Sequence, residues 1–206
     1  MKIEYITFDC YGTLFDWLYG IKSIIKYLTG KEDLETFFKC EQEEIKQYQP
    51  YSQVLRKCLK QVLETHGREY SEIYGRAIIL LFAKSPPFPD TIPGLLKIKE
   101  KGYKTAIISN TEHQLIKLTL TGLEDLIDKT ITAEDTGYYK PNPKAFTRAI
   151  ELLETNPENI VHVSSYPYYD LEPARKLGIK TILIDRYNKK WAPKIKTLED
   201  ITHLLR

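Results

Sequence analysis

The alternation of short apolar runs with amphipathic helical segments constrains the fold of this 206-residue chain more than any other feature. After a proline-rich stretch at 85–89, four β-rich runs each follow a segment with helical periodicity. These predicted strands are residues 105–109, 129–133, 160–164 and 181–185. Alternating helices and strands predict a doubly wound α/β fold, in which helices cover both faces of a parallel sheet.

A first predicted strand, residues 3–8, is separated from the others by a long segment of different pattern. Four stretches in that segment repeat apolar side chains with the helical period, and none resembles a strand. They are residues 17–28, 34–47, 52–66 and 70–83. The sequence therefore predicts an α/β core made of residues 1–15 and 88–206. Residues 16–87 are predicted to form an all-helical cap domain inserted after the first strand.

The composition excludes several classes of partner and location. A net charge of +2 is too balanced for a nucleic-acid-binding face. No apolar run approaches the ~18 residues of a membrane span, and Glu4 interrupts the N-terminal run before it could form a signal peptide. The three cysteines, Cys10, Cys40 and Cys58, predict neither a disulfide framework nor a zinc site, so a cytoplasmic location is expected. One methionine among many lysines and glutamates is typical of a thermophile.

Candidate functional residues follow the predicted strands, since ligands bind beyond the carboxyl ends of such a sheet. Asp9 follows the first strand, Ser109 the second, and Lys140 and Asp170 lie in later strand-end loops. Each has a purely structural alternative. Asp9, Ser109 and Asp170 could cap helices, and Lys140 could be a solvated lysine.

Four motifs in these loops occur in a recognisable order. They read Asp9-Cys10-Tyr11-Gly12-Thr13-Leu14, Ser109-Asn110-Thr111, Lys140-Pro141-Asn142-Pro143, and Val163-Ser164-Ser165 followed by Asp170. In this order they resemble the haloacid dehalogenase (HAD) superfamily of hydrolases, over almost the whole chain. The tyrosine two residues after Asp9 and the serines of the fourth motif resemble the L-2-haloacid dehalogenase branch.

The same two replacements separate this chain from the phosphatases of that superfamily. Those enzymes carry a second aspartate where Tyr11 stands, as the acid for the leaving group, and an aspartate for Mg²⁺ in the motif where this chain has Ser164 and Ser165. A halide leaves without a proton, and the carbon that is attacked carries no negative oxygens. The resemblance therefore implies metal-independent hydrolysis of a small 2-haloacid through a covalent ester on aspartate.

The resemblance also assigns a role to each site residue. Asp9 is the nucleophile, Lys140 orients it, and Ser165 and Asp170 position the hydrolytic water. The substrate-binding residues are Tyr11 and Thr13 in the nucleophile loop, Ser109 and Asn110 for the substrate oxygen and the halide, and Lys39 in place of an arginine that holds the carboxylate. Two positions depart from the branch. Lys39 lacks the arginine fork and could equally be a solvated helix residue, and Pro167 occupies the place of an asparagine.

Two alternatives remain open from the sequence. One is a Mg²⁺-dependent small-molecule phosphatase, with Asp9 and Asp170 as metal ligands. The other is a catalytically impaired scaffold that binds a ligand or partner, suggested by Pro167 and the tyrosines around it. The resemblance also implies a homodimer through the cap, which an exposed apolar face on residues 52–66 would support. Several of the 15 tyrosines are predicted to line the mouth of the cleft. They are Tyr11, Tyr138, Tyr139, Tyr166, Tyr168 and Tyr169.

Overall fold

The structure is a computed structural model that describes residues 3–205. Its centre is a six-stranded sheet in the order β3-β2-β1-β4-β5-β6. All neighbouring strands are parallel, which confirms the predicted fold class. The strands are β1 (Tyr5–Phe8), β2 (Lys104–Ser109), β3 (Lys129–Thr132), β4 (Ile160–Ser164), β5 (Lys180–Ile184) and β6 (Lys194–Ile195).

Ten α-helices are found in the described residues. They are α1 (Trp17–Thr29), α2 (Leu34–Glu44), α3 (Tyr51–Thr65), α4 (Glu72–Ala83), α5 (Thr91–Glu100), α6 (His113–Thr119), α7 (Ala133–Thr136), α8 (Pro143–Leu153), α9 (Glu172–Lys176) and α10 (Ile201–Leu204). A π-helix covers Pro167–Leu171, directly after β4. No helix of residues 3–205 is long and apolar enough to cross a membrane.

Strand β1 occupies the centre of the sheet because its residues can be buried on both faces. Ile6 and Phe8 on one face of β1, and Thr7 on the other, have no exposed surface, as expected of a strand covered on both sides. Strands β2 and β4 flank β1 on opposite sides. The strand order therefore changes direction at β1, with β2 and β3 added on one side and β4, β5 and β6 on the other. Such a switch point leaves a crevice at the carboxyl end of the strand, which is where Asp9 lies.

Helices α1 to α4 lie between β1 and α5 in the chain and form the helical insert, residues 17–83. Asp16, Asp33 and Ser71 cap the first, second and fourth of them by accepting hydrogen bonds from backbone N–H groups. The buried apolar residues of the insert are continuous with those under β1. That residues 16–87 form a separate cap domain remains a prediction.

Helix α3 bears on the expected homodimer. Its large apolar side chains, including Leu55, Leu59 and Val62, are buried within the chain. The exposed apolar face that would support dimerisation through residues 52–66 is therefore not there. The homodimer itself stays a prediction.

The expectation that no disulfide forms is wrong. Cys40 of α2 and Cys58 of α3 are joined by a disulfide, with their Cα atoms 5.4 Å apart, and Cys10 is free and buried. The number of cysteines carries no information on distance, whereas the packing of α2 on α3 brings these two together. Disulfides occur in oxidising compartments and also inside hyperthermophiles. The cysteines therefore no longer support a cytoplasmic location, which stays a prediction.

Candidate active site

A cavity of about 410 Å³ opens at the carboxyl end of β1, and the sheet and the helical insert both line it. Asp9, Ser109, Asn110, Lys140 and Asp170 form its floor at the strand ends. The helical insert supplies the facing wall. Its lining residues include Trp17, Phe38, Glu41, Gln42, Tyr51 and Phe82. A volume in this range suits a small organic molecule.

Asp9 leaves β1 on the floor of this cavity with both carboxylate oxygens engaged. Oδ1 accepts a hydrogen bond from Lys140 Nζ at 2.9 Å, and Oδ2 accepts one from Thr13 Oγ1 at 2.8 Å. Burial raises the pKa of Asp9 above its ordinary value, and the ammonium of Lys140 opposes that rise. The loop turns back through Gly12, whose φ of 85° places it in the left-handed region.

Lys140 is a buried cation with all three of its protons committed. Besides Asp9, its Nζ donates to Asp170 Oδ1 at 2.6 Å and to the carbonyl oxygen of Ile108 at 2.7 Å. Burial alone would lower the pKa of Lys140, but the carboxylates of Asp170 and Asp9 raise it above its ordinary value. Lys140 therefore remains an ammonium and holds two carboxylates at fixed positions.

Asp170 connects this cation to a histidine that the sequence analysis did not single out. Its Oδ1 lies 3.0 Å from His162 Nε2, and His162 Nδ1 lies 2.8 Å from Thr7 Oγ1. Although burial opposes it, Lys140 and His162 hold the pKa of Asp170 below its ordinary value. The register of β1 against β4 pairs Thr7 with His162, so only the tertiary pairing could have identified this histidine.

Ser109 and Asn110 both line the cavity, but their side chains differ in their hydrogen-bond partners. Ser109 Oγ is buried and has no hydrogen-bond partner in the structure, so it is free to bind a ligand. Asn110 Oδ1 accepts from the backbone N–H of Lys140 at 2.7 Å, and its Nδ2 donates to the Lys140 carbonyl at 2.9 Å. Asn110 therefore fixes the Lys140 loop, with one amide proton left for substrate.

Lys39 does not reach the cavity, contrary to the expected role in holding a carboxylate. Its side chain is 71% exposed and pairs with Glu35 at 2.6 Å. Helical periodicity explains the difference. The cavity-lining residues of α2 and the residue after it share one face at spacings of three and four. They are Phe38, Glu41, Gln42 and Ile45, and Lys39 falls outside that face.

Ser165 also departs from its expected role of positioning water. Its Oγ donates to the carbonyl of Ile184 at 3.0 Å, and the residue is fully buried behind the cavity wall. Its backbone N–H donates to Thr13 Oγ1 at 3.1 Å. Ser165 therefore supports the nucleophile loop through Thr13, which contacts Asp9 and does not line the cavity.

Five tyrosines line the cavity, but only three of them belong to the six that the sequence predicts there. Those three are Tyr11, Tyr166 and Tyr169, and the other two are Tyr51 and Tyr187, which the sequence analysis missed. The hydroxyl of Tyr11 lies 2.7 Å from Thr119 Oγ1, so its ring and not its hydroxyl faces a ligand. The remaining predicted tyrosines line a neighbouring groove. They are Tyr138, Tyr139 and Tyr168.

The wall of the helical insert carries an unexpected acid. Glu41 Oε1 accepts a hydrogen bond from Tyr51 Oη at 2.5 Å. Burial raises the pKa of Glu41 to about 7, and the bond from Tyr51 opposes that rise. The exposed Lys189, between β5 and β6, is a further cation on the cavity wall. Glu41 lines the cavity while Glu43 on the same helix is exposed, because position around the helix decides which acid faces inward.

The donor set does not fit a magnesium ion. Mg²⁺ prefers several oxygen ligands around one point. Here Lys140 Nζ lies between the carboxylates of Asp9 and Asp170, and serines stand at 164 and 165. Within residues 3–205 no group of three or more His, Cys, Asp or Glu side chains is arranged to hold a metal ion.

The fold and the buried set of Asp9, Lys140 and Asp170 define an enzyme of the doubly wound α/β class. A family model for haloacid dehalogenase-like hydrolases matches residues 3–178, and the chain belongs to that family of hydrolases. The chain is 26% identical to (S)-2-haloacid dehalogenase 1 of Pseudomonas sp. (strain CBS-3), over 98% of this chain and 95% of that protein.

Two further comparisons mark the range of the family. The chain is 34% identical to the glyceraldehyde 3-phosphate phosphatase of Methanothermobacter thermautotrophicus (strain ATCC 29096 / DSM 1053 / JCM 10044 / NBRC 100330 / Delta H), over 50% of this chain and 47% of that protein. A crystal structure described as a dehalogenase superposes with a TM-score of 0.87 at 25% identity, covering 98% of this chain and 97% of the other. The expectations of fold and of a HAD-type hydrolase are confirmed.

Proposed function

We propose that this protein is a hydrolytic dehalogenase that works without a metal through a covalent ester on Asp9. The observation that carries the proposal is the triple engagement of Lys140 by Asp9, Asp170 and the Ile108 carbonyl. Lys140 holds the Asp9 carboxylate at the floor of a largely apolar cavity. The position two residues after Asp9 carries Tyr11 and not an acid that could protonate a leaving group, and the Tyr11 hydroxyl is bonded to Thr119.

In the first step, an oxygen of the Asp9 carboxylate attacks the carbon that carries the halogen. The new C–O bond forms as the carbon–halogen bond breaks, and the halide leaves with the bonding electron pair. The products are an Asp9 ester and a free halide, so no proton is needed. The free Ser109 hydroxyl and the remaining amide proton of Asn110 are the donors for the departing halide.

In the second step, water attacks the carbonyl carbon of the Asp9 ester. The C–O bond between that carbon and the substrate breaks, which releases an alcohol and restores the carboxylate with one oxygen from water. Lys140 Nζ and Thr13 Oγ1 already contact the Asp9 oxygens, so they stabilise the negative charge that develops there. Asp170, which lines the cavity and contacts His162, is the carboxylate we assign to accept the proton released from water.

A phosphatase reaction is not supported by the same residues. A phosphoryl group would bring negative oxygens to Asp9, and the lysine that could offset them already binds two carboxylates. We therefore do not propose the Mg²⁺-dependent alternative.

The test is halide release from (S)-2-chloropropionate and (S)-2-chloropropionamide, with and without EDTA. Wild-type protein should release chloride equally in both conditions, and Asp9→Asn should release none while keeping its melting temperature. A single turnover in ¹⁸O-labelled water should give a product hydroxyl without the label, since its oxygen comes from Asp9. Label in the first product, or turnover by Asp9→Asn, would rule out the ester.

A further inference from the structure

We propose that Glu41 makes the cavity select haloalkyl substrates that carry a hydrogen-bond donor, such as a primary amide, over 2-haloacid carboxylates. This inference rests on the proposed dehalogenation and concerns the class of substrate that it takes. It differs from the expectation of a haloacid, in which a cation on the helical insert would hold a substrate carboxylate.

The first observation is the position of Glu41. It lies on the face of α2 that lines the cavity, with Phe38 one turn before it and Ile45 one turn after it. Asp9 lines the same cavity from the carboxyl end of β1. A molecule held against Asp9 therefore meets Glu41 on the opposite wall, where Lys39 was expected and is absent.

The second observation is that Glu41 has a fixed orientation and no counter-ion. Tyr51 Oη donates to Oε1 at 2.5 Å, and Tyr51 is itself only 3% exposed and packs on Phe82, with ring centroids 5.0 Å apart. Among the ion pairs of residues 3–205, none involves Glu41. The carboxyl group is therefore held toward the cavity without a neutralising cation.

The third observation is the charge around a bound substrate. Asp9, Asp170 and Glu41 face the cavity as acids, and the three protons of Lys140 are taken by the first two and the Ile108 carbonyl. The exposed Lys189 is the other cation on the wall. A substrate carboxylate would add a negative charge opposite Glu41, whereas an amide N–H would donate to it in a charge-assisted hydrogen bond.

The chemistry is unchanged by this choice of substrate. Asp9 displaces chloride from C2 of a 2-chloroamide, and water then releases the 2-hydroxyamide, one chloride and one proton. The amide carbonyl still withdraws electrons from C2. The amide N–H groups supply the donors that a carboxylate lacks.

The experiment compares kcat/KM for (S)-2-chloropropionamide and (S)-2-chloropropionate at about pH 8, above the pKa of Glu41. Wild-type protein should prefer the amide by about tenfold or more, the effect of one hydrogen bond to a charged group. Glu41→Gln should remove most of that preference, and Glu41→Arg should reverse it. Glu43→Gln is the matched control, because Glu43 is on the same helix, exposed, and paired with Lys46 outside the cavity. It should leave the preference unchanged.

Binding of the unreactive propionamide and propionate, followed by NMR titration, separates the two proposals. Tighter binding of propionamide to wild type than to Glu41→Gln supports the role of Glu41 even if neither chloride is released, in which case only the dehalogenase proposal fails. Equal binding of the two analogues, or a preference for propionate that Glu41→Gln leaves unchanged, overturns the inference. Melting temperatures of each variant show whether a change reflects loss of the fold.

Discussion

The two walls of the cavity differ in how their charges are balanced. On the sheet side, Asp9, Lys140, Asp170 and His162 form a continuous set in which each charged side chain has a partner. On the side of the helical insert, Glu41 has one tyrosine and no cation. The paired side suits chemistry that must hold its geometry. The unpaired side leaves a charge available to whatever binds, so we assign reaction to the sheet and selection to the insert.

Substitution of Lys140, on the sheet side of the cavity, should have the largest effect on both stability and chloride release. Lys140→Met leaves Asp9 and Asp170 buried without their cation, and loss of one partner of a buried ion pair costs about 3–5 kcal/mol. We expect the free energy of unfolding to fall by that order and chloride release to be lost. Chemical denaturation and a chloride assay measure the two effects. Lys176→Met, at an exposed lysine of α9, should change neither.

Removal of the disulfide tests the insert side, because it joins α2 and α3, the helices that carry Glu41 and Tyr51. The linkage closes a loop with a sequence separation of 18 residues. In the chain-entropy account a loop of that size contributes about 3 kcal/mol. Cys40→Ser with Cys58→Ser should lower the free energy of unfolding by about that amount and weaken the amide preference. Wild-type protein under reducing conditions is the control, because it loses the linkage but keeps both cysteine side chains. An unchanged denaturation midpoint in the double variant would contradict the assignment.

His162 acts on the reaction through Asp170, as a positioning residue. His162→Gln keeps one hydrogen bond to Asp170 but loses the ring that also contacts Thr7. We expect kcat to fall by about 10- to 100-fold with little change in KM, as outer-sphere hydrogen-bond losses do at other sites. The pH profile of kcat should shift as well, because His162 helps to hold the pKa of Asp170 low. A fall in KM alone would argue against this role.

The charge on Glu41 should make substrate preference depend on pH. Below its pKa of about 7 Glu41 is neutral, and above it Glu41 repels a carboxylate. Tyr51, which donates to it, and Tyr139 and Tyr169, on which its charge acts, have raised pKa values and stay neutral through this range. Because Asp9, Asp170, Lys140 and Lys189 also line the site, the ratio of the two kcat/KM values is the measurement. The amide-to-acid ratio should rise severalfold between about pH 6 and about pH 8, and Glu41→Gln should flatten it.

The two walls of the cavity also differ in how well their residues can be predicted from the sequence. Ser109 ends strand β2, and Asp9, Lys140 and Asp170 lie in the segments after β1, β3 and β4. Because parallel strands bring their carboxyl ends to one edge, the local pattern is enough to predict that these residues lie together. Residues of the insert reach the cavity through helix packing, and no comparable rule predicts from the sequence which of them face inward. Lys39 therefore lies outside the face of α2 that lines the cavity, contrary to the prediction, and the sequence does not indicate the Cys40–Cys58 pairing. Strand β6, with only two residues, is too short to give a pattern.

Substitution of Lys39 should have the smallest effect. Its result still distinguishes a substrate carboxylate held by a cation of the helical insert from a substrate amide selected by Glu41. If a cation there held a substrate carboxylate, Lys39→Gln would raise KM for (S)-2-chloropropionate by about tenfold or more. The structure places its amine against Glu35, with 71% of the side chain exposed. Ion pairs between side chains this exposed contribute little to stability because water and salt screen them. We therefore expect kcat and KM for both chlorinated substrates to change less than about twofold, with a decrease in melting temperature near the limit of measurement. A selective rise in KM for the acid would place Lys39 in the cavity during turnover and remove the basis for selection by Glu41.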